Sequence, residues 1–243
     1  TFDDLKIPDM PFCLVPVGSF EMGDDNSRWT DEKPAHPQTI ARPYWIAQYP
    51  VTNAQWRVAV EAKVVDVPQT TNSLKWYQDS NMADAPVVGI SWFDALKFCQ
   101  WLGTRLPTER DWEYAARGIE SLIYPWGNAW NTENAVFKGN SGSQPNPVTS
   151  RPAGRNWIDA RHLSGNVWEW CSSIYDQENY PYPYREDDGR EDLEETNYQR
   201  VLRGGSWSSD VGSLRAANRY RDAPSNQDRN LGFRCARFPI LVL

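Results

Sequence analysis

Side chains suited to nucleophilic, redox or metal chemistry are sparse in this chain: four cysteines (Cys13, Cys99, Cys171, Cys235) and two histidines (His36, His162) among 243 residues. No two cysteines have CxxC spacing, which argues against a zinc ribbon or a thioredoxin-type site. Each isolated histidine reads as a structural residue before a catalytic one. Asp210, Arg219 and Asp222 are a different resource, since carboxylates and a guanidinium sharing a cleft permit acid–base work, but their spacing does not select that over ordinary salt bridging. All three lie in residues 208–230, SSDVGSLRAANRYRDAPSNQDRN, a stretch with no cysteine. Ser, Asp, Gly, Tyr, Arg, Asn and Gln fill its gaps, the residue types of adaptable recognition surfaces. Tyr offers rigid contact area, while Ser, Gly and Asn offer flexible hydrogen bonding.

Elements able to hold such a segment can be traced along the chain. Residues 11–23, PFCLVPVGSFEMG, alternate apolar with small or polar residues and predict a half-buried strand, and PYWIAQY at 43–49 predicts a second. Capping boxes then predict three helix starts, at Thr52 with Gln55, Ser91 with Asp94 and Thr108 with Asp111, and Gly118 is the natural stop of the third helix. Beyond Gly118 the helical period is lost to short aromatic runs broken by Gly, Asn and Pro, so this half reads as loops with short strands. Residues 176–195, DQENYPYPYREDDGREDLEE, read as an acidic, solvated surface insertion.

Bulk properties narrow the class. With 40% hydrophobic residues the chain can bury one substantial core, and a single domain over 1–243 is expected. Thirteen tryptophans and 33 Gly plus Pro suit a loop-rich α+β fold filled by large flat side chains. A net charge of -7 argues against a nucleic-acid partner. No apolar run reaches the roughly 20 residues that span a bilayer, and TFDDLKIPDM at the start has no signal-peptide pattern. The expectation is a soluble monomer without a membrane partner, cytoplasmic or at the cell surface if a segment upstream of Thr1 carries it there.

Three strings, RLPTERDWEYAARG (105–118), LSGNVWEW (163–170) and LRGGSW with LGFRCAR (202–207 and 231–237), occur in this order, with VPVGSFEMG (15–23) and YPVTNAQW (49–56) before them. Together they resemble the formylglycine-generating-enzyme or sulfatase-modifying-factor family, a variant of the C-type lectin fold, over nearly the whole chain. The oxidases of that family resemble one another in a pair of copper-binding cysteines between GGS[YW] and GFRC. If RAANR (215–219) matches the family's RCAAR, the thiol position falls on Ala216, and alanine supplies no thiolate to bind Cu(I) or exchange with a substrate cysteine. A second branch uses a three-histidine iron site, for which two histidines are too few. Neither copper nor iron is expected.

The resemblance also implies calcium sites: one from Glu169 with the carbonyls of Gly165 and Val167, where His162 replaces the usual Asn or Asp, and another from Asn134, the Ala135 carbonyl and Asn140. It implies a disulfide between Cys99 and Cys235, which in a reducing compartment would instead be two core thiols. The segment near the chain end, before FPILVL (238–243), further resembles the variable region of diversity-generating-retroelement proteins. There, adenine-directed mutagenesis of asparagine codons yields Ser, Asp, Gly, Tyr, Arg and Asn.

The expected site is therefore a noncatalytic recognition surface within residues 206–234. It comprises Trp207, Ser208, Ser209, Asp210, Gly212, Ser213, Tyr220, Arg221, Asp222, Ser225, Asn226, Gln227 and Asn230, presented to a protein or small-molecule ligand. The alternatives are an accessory domain of a signalling protein and an atypical enzyme of the same family.

Overall fold

Helix starts fall where the capping residues predict them. Among Asn53–Glu61 (α1), Thr71–Gln78 (α2), Trp92–Trp101 (α3) and Glu109–Arg117 (α4), the first, third and fourth open on complete capping boxes. The shorter aspartate arm still closes, with Thr108 N–H donating to Asp111 at 3.3 Å and Asp111 N–H to Thr108 Oγ1 at 3.0 Å. Gly118 ends α4 at φ +65°, a conformation that disfavours any side chain. Helix α2, whose Thr70 cap lacks the reciprocal partner, was not foreseen from the sequence.

The computed structural model describes Ile7 and residues 10–239. Most of TFDDLKIPDM and the aliphatic end of FPILVL thus lie outside the described residues. The strand expected over 11–23 is divided into Phe12–Val15 (β1) and Gly18–Met22 (β2), with Pro16, which has no N–H to donate, at the break. Strand β2 forms a hairpin with His36–Ile40 (β3). Strand β1 pairs with Tyr44–Ala47 (β4), and β4 in turn with Ala236–Arg237 (β9), so the two ends of the described chain meet in one sheet.

The second half is more ordered than its punctuation suggests. Trp168–Tyr175 (β5), Gln199–Arg203 (β6), Arg219–Asp222 (β7) and Leu231–Gly232 (β8) form a four-stranded sheet in the order β7-β6-β5-β8. All eight residues of β5 are buried, which erases the period-two signal a half-buried strand would show. Helices α3 and α4 both tie to it: Trp92 Nε1 donates to the Cys171 carbonyl at 2.9 Å, and the Glu109 N–H donates to Ser173 Oγ at 2.8 Å. Tryptophans fill the core as their number suggests. Trp56 stacks on Phe98 with ring centroids 5.4 Å apart, and Phe233 meets both rings edge-on. This is the mixed α+β, C-type-lectin-like architecture expected from the sequence.

The acidic stretch 176–195 is not simply a solvated insertion. Tyr182, Tyr184 and Arg190 are buried, and Glu191 turns its carboxylate inward to accept hydrogen bonds from Ser172, Ser173 and Tyr184. Hydroxyl donors inside the fold explain why an acidic, proline-punctuated sequence packs: each buried oxygen is satisfied. Burial pushes the Glu191 carboxyl up to about 7 against these bonds, and nearby Asp111 adds to the rise while Arg200 attracts the charged form.

An acid raised above its unfolded value binds more protons folded than unfolded, so this group removes stability as pH rises through about 4.5 to 7. His162, pushed down to about 4 by burial, has the opposite slope over about 4 to 6.5, because there the unfolded chain binds more protons. The two trends offset in the parent chain and separate on mutation. Glu191→Gln is expected to gain stability relative to the parent at pH 8, on the order of 1–2 kcal/mol, and to lose that advantage by pH 5. Urea unfolding across that pH range measures both.

Candidate functional site

Two arginines of RAANR fix the segment to the frame. Arg215 pairs with Glu32 at 2.7 Å and Asp24 at 3.0 Å, while Arg219 grips Glu109, the first residue of α4, with nitrogen–oxygen distances of 2.6 and 2.9 Å. Glu32 and Glu109 are fully buried. Burial alone would raise the Glu109 carboxyl, but Arg219 and Arg203 overcome it and hold the group below the usual carboxylate range. Arg203 also pairs with Glu113 one helical turn on. These buried pairs set the positions of β6 and β7 relative to α4, and so the floor of a cavity above them.

That cavity, of about 490 Å³, is walled by Ser208, Ser209, Ser213, Tyr220, Arg221, Asp222 and Asn230 from the cysteine-free segment. Trp168 opens β5 and lies in plane-to-plane contact with Tyr220 of β7, centroids 5.2 Å apart and planes 28° apart. Tyr220 is 46% exposed, so the stack presents an aromatic face to solvent. A turn closes the serine side: Ser206 N–H donates to Ser209 Oγ at 3.0 Å, and Asn230 Nδ2 reaches Ser208 Oγ at 3.2 Å. Asn230 Oδ1 is buried there without a hydrogen-bond partner. An acceptor lacking its donor, beside an aromatic face, suits a ligand bearing N–H or O–H groups.

Other members of the expected set lie off this wall. Trp207 is a buried anchor, with Nε1 on the Arg229 carbonyl and its ring edge-on to Trp76. Gly212 packs beneath Trp29, where a Cβ would come within 3.1 Å of the ring. Asp210 points outward to Lys138, Asn226 binds Asp222, Gln227 reaches Asp94, and Ser225 lines a shallow depression with Phe93. The wall also holds Arg219, weighed from the sequence only as an acid–base candidate, and residues not foreseen: Trp29, Asp31, Trp168, Asn218, Asp228 and Leu231. Trp29 and Asp31 arrive from the turn before β3, nearly two hundred positions away, and tertiary bonds such as the pairing of Arg215 with Glu32 and the Arg219 bond to the Asp31 carbonyl bring them there.

The position matched to a family thiol also moves. Ala216 is fully buried in the core cluster that includes Trp112 and Tyr114, so it is no part of the wall; the segment's reactive-type atoms there are hydroxyls. All four cysteines are buried elsewhere. Cys99 and Cys235 face each other in the core with their sulfurs 3.6 Å apart, the two residues that the resemblance pairs. Burial holds the Cys99 and Cys171 thiols well above their ordinary value and raises Cys13 to about 11, which disfavours the thiolate at each.

The calcium ligand sets are occupied in other ways. Both Glu169 oxygens take Arg234, at 2.6 and 2.8 Å, and one also takes Trp112 Nε1. The Gly165 carbonyl accepts Val167 N–H, and His162 binds the Val148 carbonyl. The Glu169 charge is thus neutralised by a guanidinium, and the bracing comes from side-chain donors. In the other set the Ala135 carbonyl accepts Asn140 Nδ2, Asn140 Oδ1 accepts Phe137 N–H, and only Asn134 Oδ1 is left without a partner. One orphan acceptor does not approach the six to eight oxygens of a calcium shell. Neither set fits the ion. No group of three or more His, Cys, Asp or Glu able to hold a metal occurs among the described residues.

The model of the sulfatase-modifying factor enzyme 1-like domain matches residues 4–239. The chain belongs to this family. Among its relatives, inactive C-alpha-formylglycine-generating enzyme 2 of Bos taurus is 30% identical, over 91% of this chain and 86% of its own. Serine/threonine-protein kinase pkn1 of Chlamydia caviae is 34% identical over 92% of this chain, which spans only 37% of the kinase. In structure, Treponema denticola variable protein 1 superposes with a TM-score of 0.73 and 20% identity, covering 94% of this chain and 95% of its own, a likeness of fold. Among the described residues no helix is long and apolar enough to cross a membrane.

Two outcomes follow for this sulfatase-modifying-factor-type domain. Glu109→Gln leaves Arg219 and Arg203 short of a buried counter-charge and is expected to cost about 3–5 kcal/mol in denaturant unfolding. The melting temperature is expected to be the same in excess Ca²⁺ and in chelator, because an ion bound only by the folded state raises it. A rise with Ca²⁺ in differential scanning calorimetry would show that one of the two sets does bind.

Proposed function

We propose that this domain is a noncatalytic recognition module and that its ligand surface is the cavity over β5 and β7. One observation carries the reading: the segment that in the family's oxidases resembles a thiol site supplies Ser208, Ser209, Ser213, Tyr220, Arg221, Asp222 and Asn230 to the wall, with no cysteine among them. Serine and tyrosine hydroxyls are far weaker nucleophiles than a thiolate and weak ligands for Cu(I). A tyrosine stacked on tryptophan and ringed by short polar side chains is instead a contact surface of the paratope kind.

The likeness in fold to a variable protein supports this reading, as does the reach of asparagine-codon mutagenesis to the segment's Ser, Asp, Gly, Tyr, Arg and Asn residues. In that version, Arg215, Arg219 and the glycines of GGSW are the frame, and the wall positions between them are free to vary. The ligand is a protein or small molecule offering hydrogen-bond donors. A second reading, a regulatory domain in a larger signalling protein, is favoured by the kinase relatives, of which a domain of this kind is only 37%. The same cavity would then receive a peptide from a partner or from the remainder of the protein.

Selection of a random-peptide library on the folded chain tests the surface, with Tyr220→Ala as the counter-target. Peptides are expected that the parent chain retains and Tyr220→Ala releases with affinity at least about tenfold weaker, the scale of losing one buried aromatic anchor. Peptides indifferent to Tyr220 would place recognition elsewhere. The diversified version is tested separately by sequencing the adjoining DNA. A near-copy of the segment differing at template adenines beside a reverse-transcriptase gene is expected, and its absence removes that version. Aldehyde formation from a cysteine peptide with Cu(I) and oxygen would overturn the noncatalytic reading.

A further inference from the structure

A second cavity, of about 410 Å³, shares no wall residue with the first. It opens between the end of β3, the start of α4 and the acidic stretch that folds inward through Glu191. Its apolar wall includes Ile40, Leu96, Leu106, Leu193 and Phe238, and its volume falls in the range of small-molecule sites.

Its polar groups are unevenly satisfied. Arg105 commits Nη1 to the Leu106 carbonyl at 3.0 Å and to Asp111 at 2.8 Å, but its Nε and Nη2 are buried without a hydrogen-bond partner. Those two atoms form the edge of the guanidinium that grips a carboxylate through two parallel bonds. Arg110 commits Nη2 to Glu186 at 2.9 Å and likewise leaves Nε unpartnered. Among the described residues Arg42 has no ion pair, and its guanidinium and that of Arg105 both contact the Phe238 ring, 4.6 and 4.5 Å from its centroid. The wall's carboxylates are already engaged: Asp111 by Arg105, Glu186 by Arg110, and Glu191 by three hydroxyls. What the arginines lack is an uncommitted oxygen acceptor for these nitrogens, and what the cavity offers besides is apolar surface.

We propose that this cavity binds an amphiphilic carboxylate, a molecule with an apolar chain or ring whose carboxylate is received by the Nε–Nη2 edge of Arg105, with Arg42 at the mouth. A planar two-oxygen head matches the single free edge, and one negative charge is as much as a wall that also holds Asp111 and Glu186 accommodates. The site lies on the side of α4 that faces β3, so its occupancy is independent of the recognition surface.

Isothermal titration of the folded chain with decanoate, decanol and acetate tests it. Decanoate is expected to bind at least about tenfold tighter than decanol, the equivalent of one charge-assisted hydrogen bond, and acetate is expected to give no heat. Arg105→Gln should remove that preference. Leu193→Trp, which fills the cavity without touching its polar groups, should abolish decanoate binding, whereas Tyr220→Ala should not alter it; circular dichroism shows that each variant is folded. Equal binding of decanol and decanoate, no binding of decanoate, or binding unaffected by Leu193→Trp would overturn the proposal. So would binding seen only after removal of residues 240–243, which would make the chain's own aliphatic end the occupant.

Discussion

The buried pairing of carboxylates on α4 with arginines on the central sheet is the constraint on which the rest of this structure depends. Glu109 and Glu113 project from successive turns of the helix, and Arg219 from β7 and Arg203 from β6 meet them. Arg203 and Arg219 are also register partners across the β6–β7 ladder, so one lattice fixes helix to sheet and strand to strand. Ions this deep cost several kcal/mol each to desolvate, and mutual attraction repays that only where geometry is good and the remaining donors are satisfied. Arg203 donates to the carbonyls of Ala217 and Asn218 and Arg219 to that of Asp31, while Arg203 Nε, 3.8 Å from Glu109, is left without a hydrogen bond. A slipped register would strand charges in the core, which makes the lattice a device for specifying one arrangement as well as for holding it.

The site inherits its geometry from this lattice. The Arg219 bond to the Asp31 carbonyl, together with the Arg215 pair with Glu32, draws the turn carrying Trp29 and Asp31 over the sheet and completes the cavity wall. Tyr175 adds a third tie, its hydroxyl donating to Asp31 at 3.0 Å while Arg221 lies over its ring. Burial and the Asp31 charge push that hydroxyl up to about 12, so it remains a donor throughout the working pH range. The wall is therefore assembled from parts far apart in sequence, yet held by short and specific bonds.

How much of this the sequence discloses depends on the range of each interaction. Capping boxes are written in residues three apart, so Thr52, Ser91 and Thr108 reveal their helices directly, and Gly118 its stop. Strand β5 is hidden because WEWCSSIY is buried on both faces and loses alternation. The acidic stretch is misread because the sequence does not show that Ser172, Ser173 and Tyr184 will gather around Glu191. The segment Ser208 to Asn230 is visible by composition, but composition does not separate Trp207, which turns into the core, from Tyr220, which turns out. Ala216 illustrates the same limit, since motif matching places it at a reactive position and the fold buries it in the core. Trp29 and Asp31 have no local signal, because their role rests on contacts with residues nearly two hundred positions later.

These ranges explain how solvent-facing residues and a stable frame can alternate in one short segment. Substitutions at Ser208, Ser209 or Tyr220 change exposed or half-buried contacts on turns and on the outer strand β7, where most replacements cost little. Substitutions at Arg203, Arg215 or Arg219 break buried pairs and cost several kcal/mol. Frame and wall alternate along the chain, the Arg203 and Arg215 side chains running inward to α4 and the turn before β3 and Tyr220 outward, while Arg219 belongs to both, paired with Glu109 and lining the cavity. Asparagine 230 stands at the boundary, its Nδ2 bound to the serine turn and its Oδ1 left without a donor. A wall that ends on an unfilled acceptor is not optimised for the empty state, since a buried polar atom without a partner costs about 1–3 kcal/mol. On the recognition reading proposed above, a ligand that supplies the missing donor would recover that energy.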